Sequence, residues 1–293
     1  MEYINQLLQN LSEMEQLNQL VHDVKDKASF KEMEYTKQKR NLEKIKDIVL
    51  MTDVKRFNND TNRLNRRLVE DVLKEILQDY FSIDELTTYF SKTRINKQIL
   101  SSEYDTVIEK DRKTNKLVSI LIMGYNFYTI IPSLAHEYTH DKIDLETTIE
   151  TTCFLGNIHY NELASILMEQ IVAKEAEEIL ELPISYAMNN TRINHIKTVV
   201  EILRNLETIP INDSRFKLIL EYQQHQTYTY LLSDIYATAI FEKYAQDKEQ
   251  ISYYAKQLLN HQTTIDTILT NLNISLKERD VINTYQKKIR GVS

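Results

Sequence analysis

The sequence predicts a mainly α fold: many helices, with one small β-hairpin or sheet. Three observations carry that prediction. Gly and Pro occur only three times each in 293 residues, whereas sandwiches, barrels and Rossmann units spend Gly freely at their turns. Apolar residues recur at helical spacing over most of the chain. One stretch alone, near residues 104–123, reads as strand. With 42% hydrophobic and 27% charged residues, the chain has an ordinary globular composition and is long enough to bury a sizeable core.

Residues 1–95 read as three or four helices. Leu7, Leu8, Leu11, Met14, Leu17 and Leu20 recur at helical spacing, and so do Leu64, Leu68, Val72 and Ile76. Ser82 and Asp84, just ahead of Glu85, suit the cap of a short helix. Residues 104–109 and 117–123, around a polar turn at 111–115, read as two strands. Helix returns near Ile131 and dominates from there. Pro183 and Pro210 mark breaks. Asp213 and Ser214 suit the cap of a long helix through 222–244, and 248–262 and 276–288 read as closing helices. Residues 1–100 are assigned to a helical N-terminal region and residues 101–293 to a domain that carries the site.

Charge and cysteine content narrow the function classes. The net charge is −7 and no segment is strongly basic, which argues against a nucleic-acid partner. Cys153 is the only cysteine, so no intramolecular disulfide can form; a reducing, cytoplasmic setting is expected. Residues 1–10 are polar and lack the basic and apolar regions of a signal peptide. The longest apolar stretch, 117–135, contains Gly124, Asn126 and Pro132, a poor composition for a membrane span.

The chemistry is concentrated at residues 135–140, Ala-His-Glu-Tyr-Thr-His. On a helix, positions four apart lie on one face, one turn up. His136 and His140 can therefore offer two imidazole nitrogens to one ion, with Glu137 beside them to take a proton from water. A chance pair would sit on a solvated helix face. This one follows an apolar strand and the run Ile130-Ile131-Pro132-Ser133-Leu134-Ala135, as a buried helix would. Catalytic zinc needs a third protein ligand and an open position, and His159 and Glu162 are the nearby candidates. In the helical segment from Asn161, Glu162, Ser165 and Glu169 share a face, so Glu169 can orient a ligand from behind.

Three blocks of the chain resemble the thimet oligopeptidase and oligoendopeptidase F family of zinc peptidases. They are Ile120–Asn126 leading into Leu134–His140, Glu162-Leu163-Ala164-Ser165 with Glu169, and Tyr228-Thr229-Tyr230-Leu231-Leu232-Ser233-Asp234. The resemblance spans roughly residues 117–245. It implies a zincin-like fold, one Zn2+ held by His136, His140 and Glu162, and Glu137 as general base. It further implies Tyr230 and His225 as groups that stabilise the oxyanion, with Tyr228 lining the cleft. Strand 117–123, through Ser119 and Leu121, is expected to hold a peptide substrate as an added strand. Thr139 stands where the family has Gly, and Glu221-Tyr222-Gln223-Gln224 stands where it has a Gly-rich loop. The expected activity is hydrolysis of short or unfolded peptides. The alternative is a non-catalytic helical binding protein on a degenerate peptidase fold.

Overall fold

The computed structural model describes residues 32–52, 65–96, 105–110, 117–123, 127–146, 158–208, 214–274 and 277–290. The helical pattern at Leu7–Leu20, Pro210 and Asp213 lie outside them. The elements run α1 (Glu32–Met51), α2 (Arg66–Leu77), α3 (Ile83–Lys92), β1 (Thr93–Asn96), β2 (Asp105–Lys110), β3 (Leu117–Met123), α4 (Phe127–Glu146) and α5 (Ile158–Leu180). They continue with α6 (Ile184–Glu207), α7 (Ser214–Phe241), α8 (Lys248–Leu259), α9 (Ile265–Asn271) and α10 (Glu278–Arg290). Among the described residues the chain is mainly helical, with one small sheet ahead of the helix that carries His136 and His140.

Local chemistry sets the first elements. Asn65 caps α2, its side chain accepting the Arg67 N–H at 3.0 Å. The buried stripe of α2 is Val69, Val72, Leu73, Ile76 and Leu77. Leu68, expected on that stripe, is 37% exposed; the face is turned by one residue from the one read by spacing. Ser82 starts α3 with a capping box: its hydroxyl accepts the Glu85 N–H, and Glu85 returns a carboxylate to the Ser82 N–H at 2.6 Å. Two donors that the helix cannot use are thereby satisfied.

The sheet departs from the expected hairpin by one strand. β2 and β3 do pair antiparallel, with Asp105 opposite Met123 and an irregularity at Glu109/Lys110. β1, which follows α3 directly, adds in parallel on the other side, with Thr93 opposite Ile120 and Asn96 opposite Met123. β3 is therefore the central strand. Leu121 is flanked by Arg94 on one side and Val107 on the other. An extended peptide has no free edge at that position, so the expectation that β3 receives substrate there through Leu121 is corrected. Ser119 is half-buried opposite Glu109, and the Leu121 side chain lies outside the described residues.

α4 begins at Phe127, earlier than the start expected near Ile131, so Pro132 falls in its second turn instead of its first. It lacks the N–H that would bond the Tyr128 carbonyl. α4 is tied to the sheet through Tyr138, whose hydroxyl lies 2.8 Å from Thr93 Oγ1 and whose ring stacks on Tyr89 at 4.7 Å. α5 is the hub, packing against α4, α7, α6, α2 and α8. Its residues Leu163, Ile166, Leu167, Met168, Ile171, Val172, Ala173 and Ala176 are all buried, each large one stabilising the fold by about 1.5–3 kcal/mol.

Residues on both sides of the boundary drawn at residue 100, from Leu42 to Ile289, belong to one hydrophobic core. Late in the chain, α8 stops at Leu259, and a turn with His261 at φ 51° leads into α9, capped by Thr264. α10 packs on α1 and α7. Lys288 Nζ lies 2.5 Å from Asp234 Oδ1, and the Tyr285 hydroxyl donates to Asp234 Oδ2 at 2.7 Å. No helix among the described residues is long and apolar enough to cross a membrane.

Candidate metal centre

Two central helices supply the cluster. α4 presents His136 and His140 on one face, one turn apart, while Ile130, Ile131, Ala135, Tyr138 and Ile143 pack its other sides at 0% exposure. α5 runs alongside and presents Glu162 and Glu169, two turns apart on one face, toward that pair. Helical geometry brings these four side chains to one point without any loop.

The distances fit a cation. His136 Nε2 and His140 Nε2 are 3.0 Å apart. Glu162 Oε2 is 3.1 Å from His140 Nε2, and Glu162 Oε1 is 3.8 Å from His136 Nε2. Ligands about 2.0–2.1 Å from a tetrahedral ion stand roughly 3.3 Å from one another. His136, His140 and Glu162 form a group able to hold a metal ion. A second observation supports the fit. Glu162 Oε1 is buried without a hydrogen-bond partner, an orphaned acceptor that costs about 1–3 kcal/mol or more when left bare and that a cation would satisfy.

The surroundings prepare the ligands. His136 Nδ1 lies 2.9 Å from Glu169 Oε2, which is the arrangement that holds an imidazole ring in place behind a metal. Burial alone would push the Glu162 carboxyl up. The hydrogen bond from His140 and the charges of His140, His136 and Arg192 more than offset it and bring it down to about 2. Glu169 is likewise driven up by burial and brought down to about 2, chiefly by Arg192 and then His136. Glu137 goes the other way. Its burial raises the carboxyl, the two imidazoles oppose the rise, and Glu162 and Glu169 add to it.

A cavity of about 250 Å³ opens on the cluster, lined among others by His136, Glu137, His140, Glu162, Arg192 and Tyr230. Liquid water takes about 30 Å³ per molecule, so the space admits several waters or one side chain. Thr129 and Ser133, earlier on α4, and Thr191 on α6 add hydroxyls to its wall. Comparison of the chain with family models, curated proteins and solved structures returned no match in any of the three.

The expected site residues divide as follows. His136, Glu137, His140, Glu162, Glu169 and Tyr230 all line this cavity. Tyr228 does not line it. Its ring is buried, and its hydroxyl donates to Glu43 Oε1 on α1. Residues two apart on a helix point away from each other, so Tyr228 and Tyr230 cannot share a wall. The side chains of His225, His159 and Cys153 lie outside the described residues. Thr139 is fully buried and donates its hydroxyl to the Ala135 carbonyl at 2.8 Å. Sequence reasoning missed Arg192 and His195 on α6. Both line the cavity, and the His195 ring meets Tyr230 edge-on with centroids 5.5 Å apart. Their spacing with Met188 and Thr191 marks a helix face, but nothing local says what that face meets.

Proposed function

We propose that the chain is a zinc-dependent endopeptidase acting on short or unfolded peptides, of the kind found in the thimet oligopeptidase and oligoendopeptidase F family. The observation that carries this reading is the meeting of two imidazole nitrogens and the Glu162 carboxylate around one point, with Glu137 and Tyr230 facing the same small cavity.

His136, His140 and Glu162 would hold the zinc, which supplies Lewis acidity toward water and toward a peptide carbonyl. Glu137 removes a proton from the attacking water and passes it to the leaving amine. Burial, which raises its carboxyl, moves it toward the range where a base both accepts and returns a proton. Tyr230 donates its phenol to the oxygen that gains negative charge. Glu169 keeps His136 oriented. The polar lining of the cavity suits a hydrated backbone and a single side chain at a time.

The test is a quenched-fluorescence peptide assay, with and without a chelator, on the wild type and on Glu137→Gln, with zinc content measured in each. Turnover is expected in the wild type and lost with chelator. Glu137→Gln is expected to keep zinc and lose nearly all turnover. Normal cleavage by that variant defeats the mechanism. Stoichiometric zinc without turnover in the wild type favours the non-catalytic binding protein instead.

A further inference from the structure

Arg192 is the buried charge that the proposed chemistry leaves unused. It reaches from α6 to the back of the cluster with only 11% of its side chain exposed. Its Nη2 is in direct contact with Glu169 Oε2, and its Nη1 lies 3.9 Å from Glu162 Oε1. Taking a guanidinium out of water is costly unless its partners are well placed.

The contacts define a competition for one proton. His136 Nδ1 stands 2.9 Å from Glu169 Oε2 and 3.2 Å from Arg192 Nη2. A carboxylate only accepts and a guanidinium only donates, so the two neighbours call for opposite tautomers. If Arg192 were to donate to Nδ1, the proton of His136 would sit on Nε2 and block a metal. Arg192 Nη2 carries two N–H groups, so holding Glu169 does not exhaust it; what it does is pin the carboxylate against Nδ1, and at that shorter contact Nδ1–H donates to Glu169 and Nε2 presents its lone pair to the cluster.

We infer that Arg192 is a positioning residue of the metal centre: by clamping Glu169 it fixes the tautomer and the orientation of His136. This rests on the reading of the cluster as a metal site. Charge supports it. Glu137, Glu162 and Glu169 bring three negative charges and Arg192 one positive, so a divalent cation brings the set to neutrality. Geometry supports it too. The planar fork of arginine places one nitrogen on Glu169 while the other faces Glu162, which the point charge of lysine cannot do.

Removing a positive charge near a cation should by Coulomb's law alone tighten metal binding; removing a positioning group should weaken it. The sign therefore decides. Zinc affinity is to be measured by competition with a chromophoric chelator for the wild type, Arg192→Met, Arg192→Lys, Glu169→Gln and the double variant Glu169→Gln/Arg192→Met. Visible spectra of the cobalt(II) forms report ligand geometry. Arg192→Met is expected to bind zinc about tenfold more weakly and to shift the cobalt bands. Arg192→Lys, which keeps charge without the fork, should also be weakened. In the Glu169→Gln background, Arg192→Met should change affinity by about twofold or less, because the two act as one unit. Unchanged or tighter binding in Arg192→Met, or full additivity in the double variant, overturns the inference. Should Arg192→Met not fold, wild-type affinity in Arg192→Lys overturns it equally. A wild type that binds no metal overturns the metal-centre reading itself, a result distinct from all of these.

Discussion

Tyr230 is half-buried on α7, its ring edge against His195 and its side chain on the cavity wall. Replacing it with Phe removes one hydroxyl and keeps the ring packing. If the phenol stabilises the oxyanion, Tyr230→Phe lowers kcat by about 10²–10³ with little change in KM or zinc content. Steady-state kinetics on the quenched peptide checks this, and an unchanged kcat removes Tyr230 from catalysis. Individual residues were legible in the sequence where a spacing rule had a single geometric meaning. His136 and His140 are four apart on a helix, and four apart means one face. The resemblance put both Tyr228 and Tyr230 at the cleft; on a helix residues two apart point away from each other, so Tyr230 reaches the cavity and Tyr228 goes to Glu43 instead. Arg192 was not legible, since its partners Glu169 and Glu162 lie on a different helix and no local pattern announces them.

Elements were legible in proportion to their amphipathicity. The start of α3 is readable from Ser82 and Asp84 ahead of Glu85, because a capping box is written in four consecutive residues. Ser82→Ala removes the acceptor for the Glu85 N–H and should cost about 1 kcal/mol of unfolding free energy, with zinc stoichiometry unchanged. Urea unfolding of the two proteins measures it; equal midpoints would mean that the cap contributes nothing here. α4, α5 and α7 gave weaker signals of their bounds, since they are buried on most sides and a helix apolar all round shows no period to read. β1 was hidden for another reason. A four-residue strand directly after a helix is too short to show alternation, and parallel pairing to β3 is a long-range fact. Its presence turns β3 from a hairpin edge into a centre strand and so removes the docking edge expected from the sequence.

At the scale of the molecule, the cluster able to hold a cation lies between the central helices and not on a loop, so a cation bound there would be coupled to the fold. Arg192 and the imidazoles offset part of the charge of Glu162 and Glu169, while Glu162 Oε1 lacks a hydrogen-bond partner and the Glu137 carboxyl is driven up by burial. Free zinc at roughly 100 times its dissociation constant should raise the unfolding free energy by about 2.7 kcal/mol, and stripping it with a chelator should lower Tm. Scanning calorimetry of the stripped and reloaded protein reads this directly. Identical melting curves at saturating zinc would show that the cluster does not bind it in the folded state.

Asp234 lies one turn beyond Tyr230 on α7, within electrostatic reach of Arg192, and the ammonium that neutralises it arrives 54 residues later, on α10. Ribosomal synthesis therefore delivers the helices bearing the cluster well before the segment that balances the carboxylate behind them. A chain cut before α10 would lose both groups that bond the Asp234 carboxylate, Tyr285 and Lys288, and would leave it the longer-range charge of Arg192.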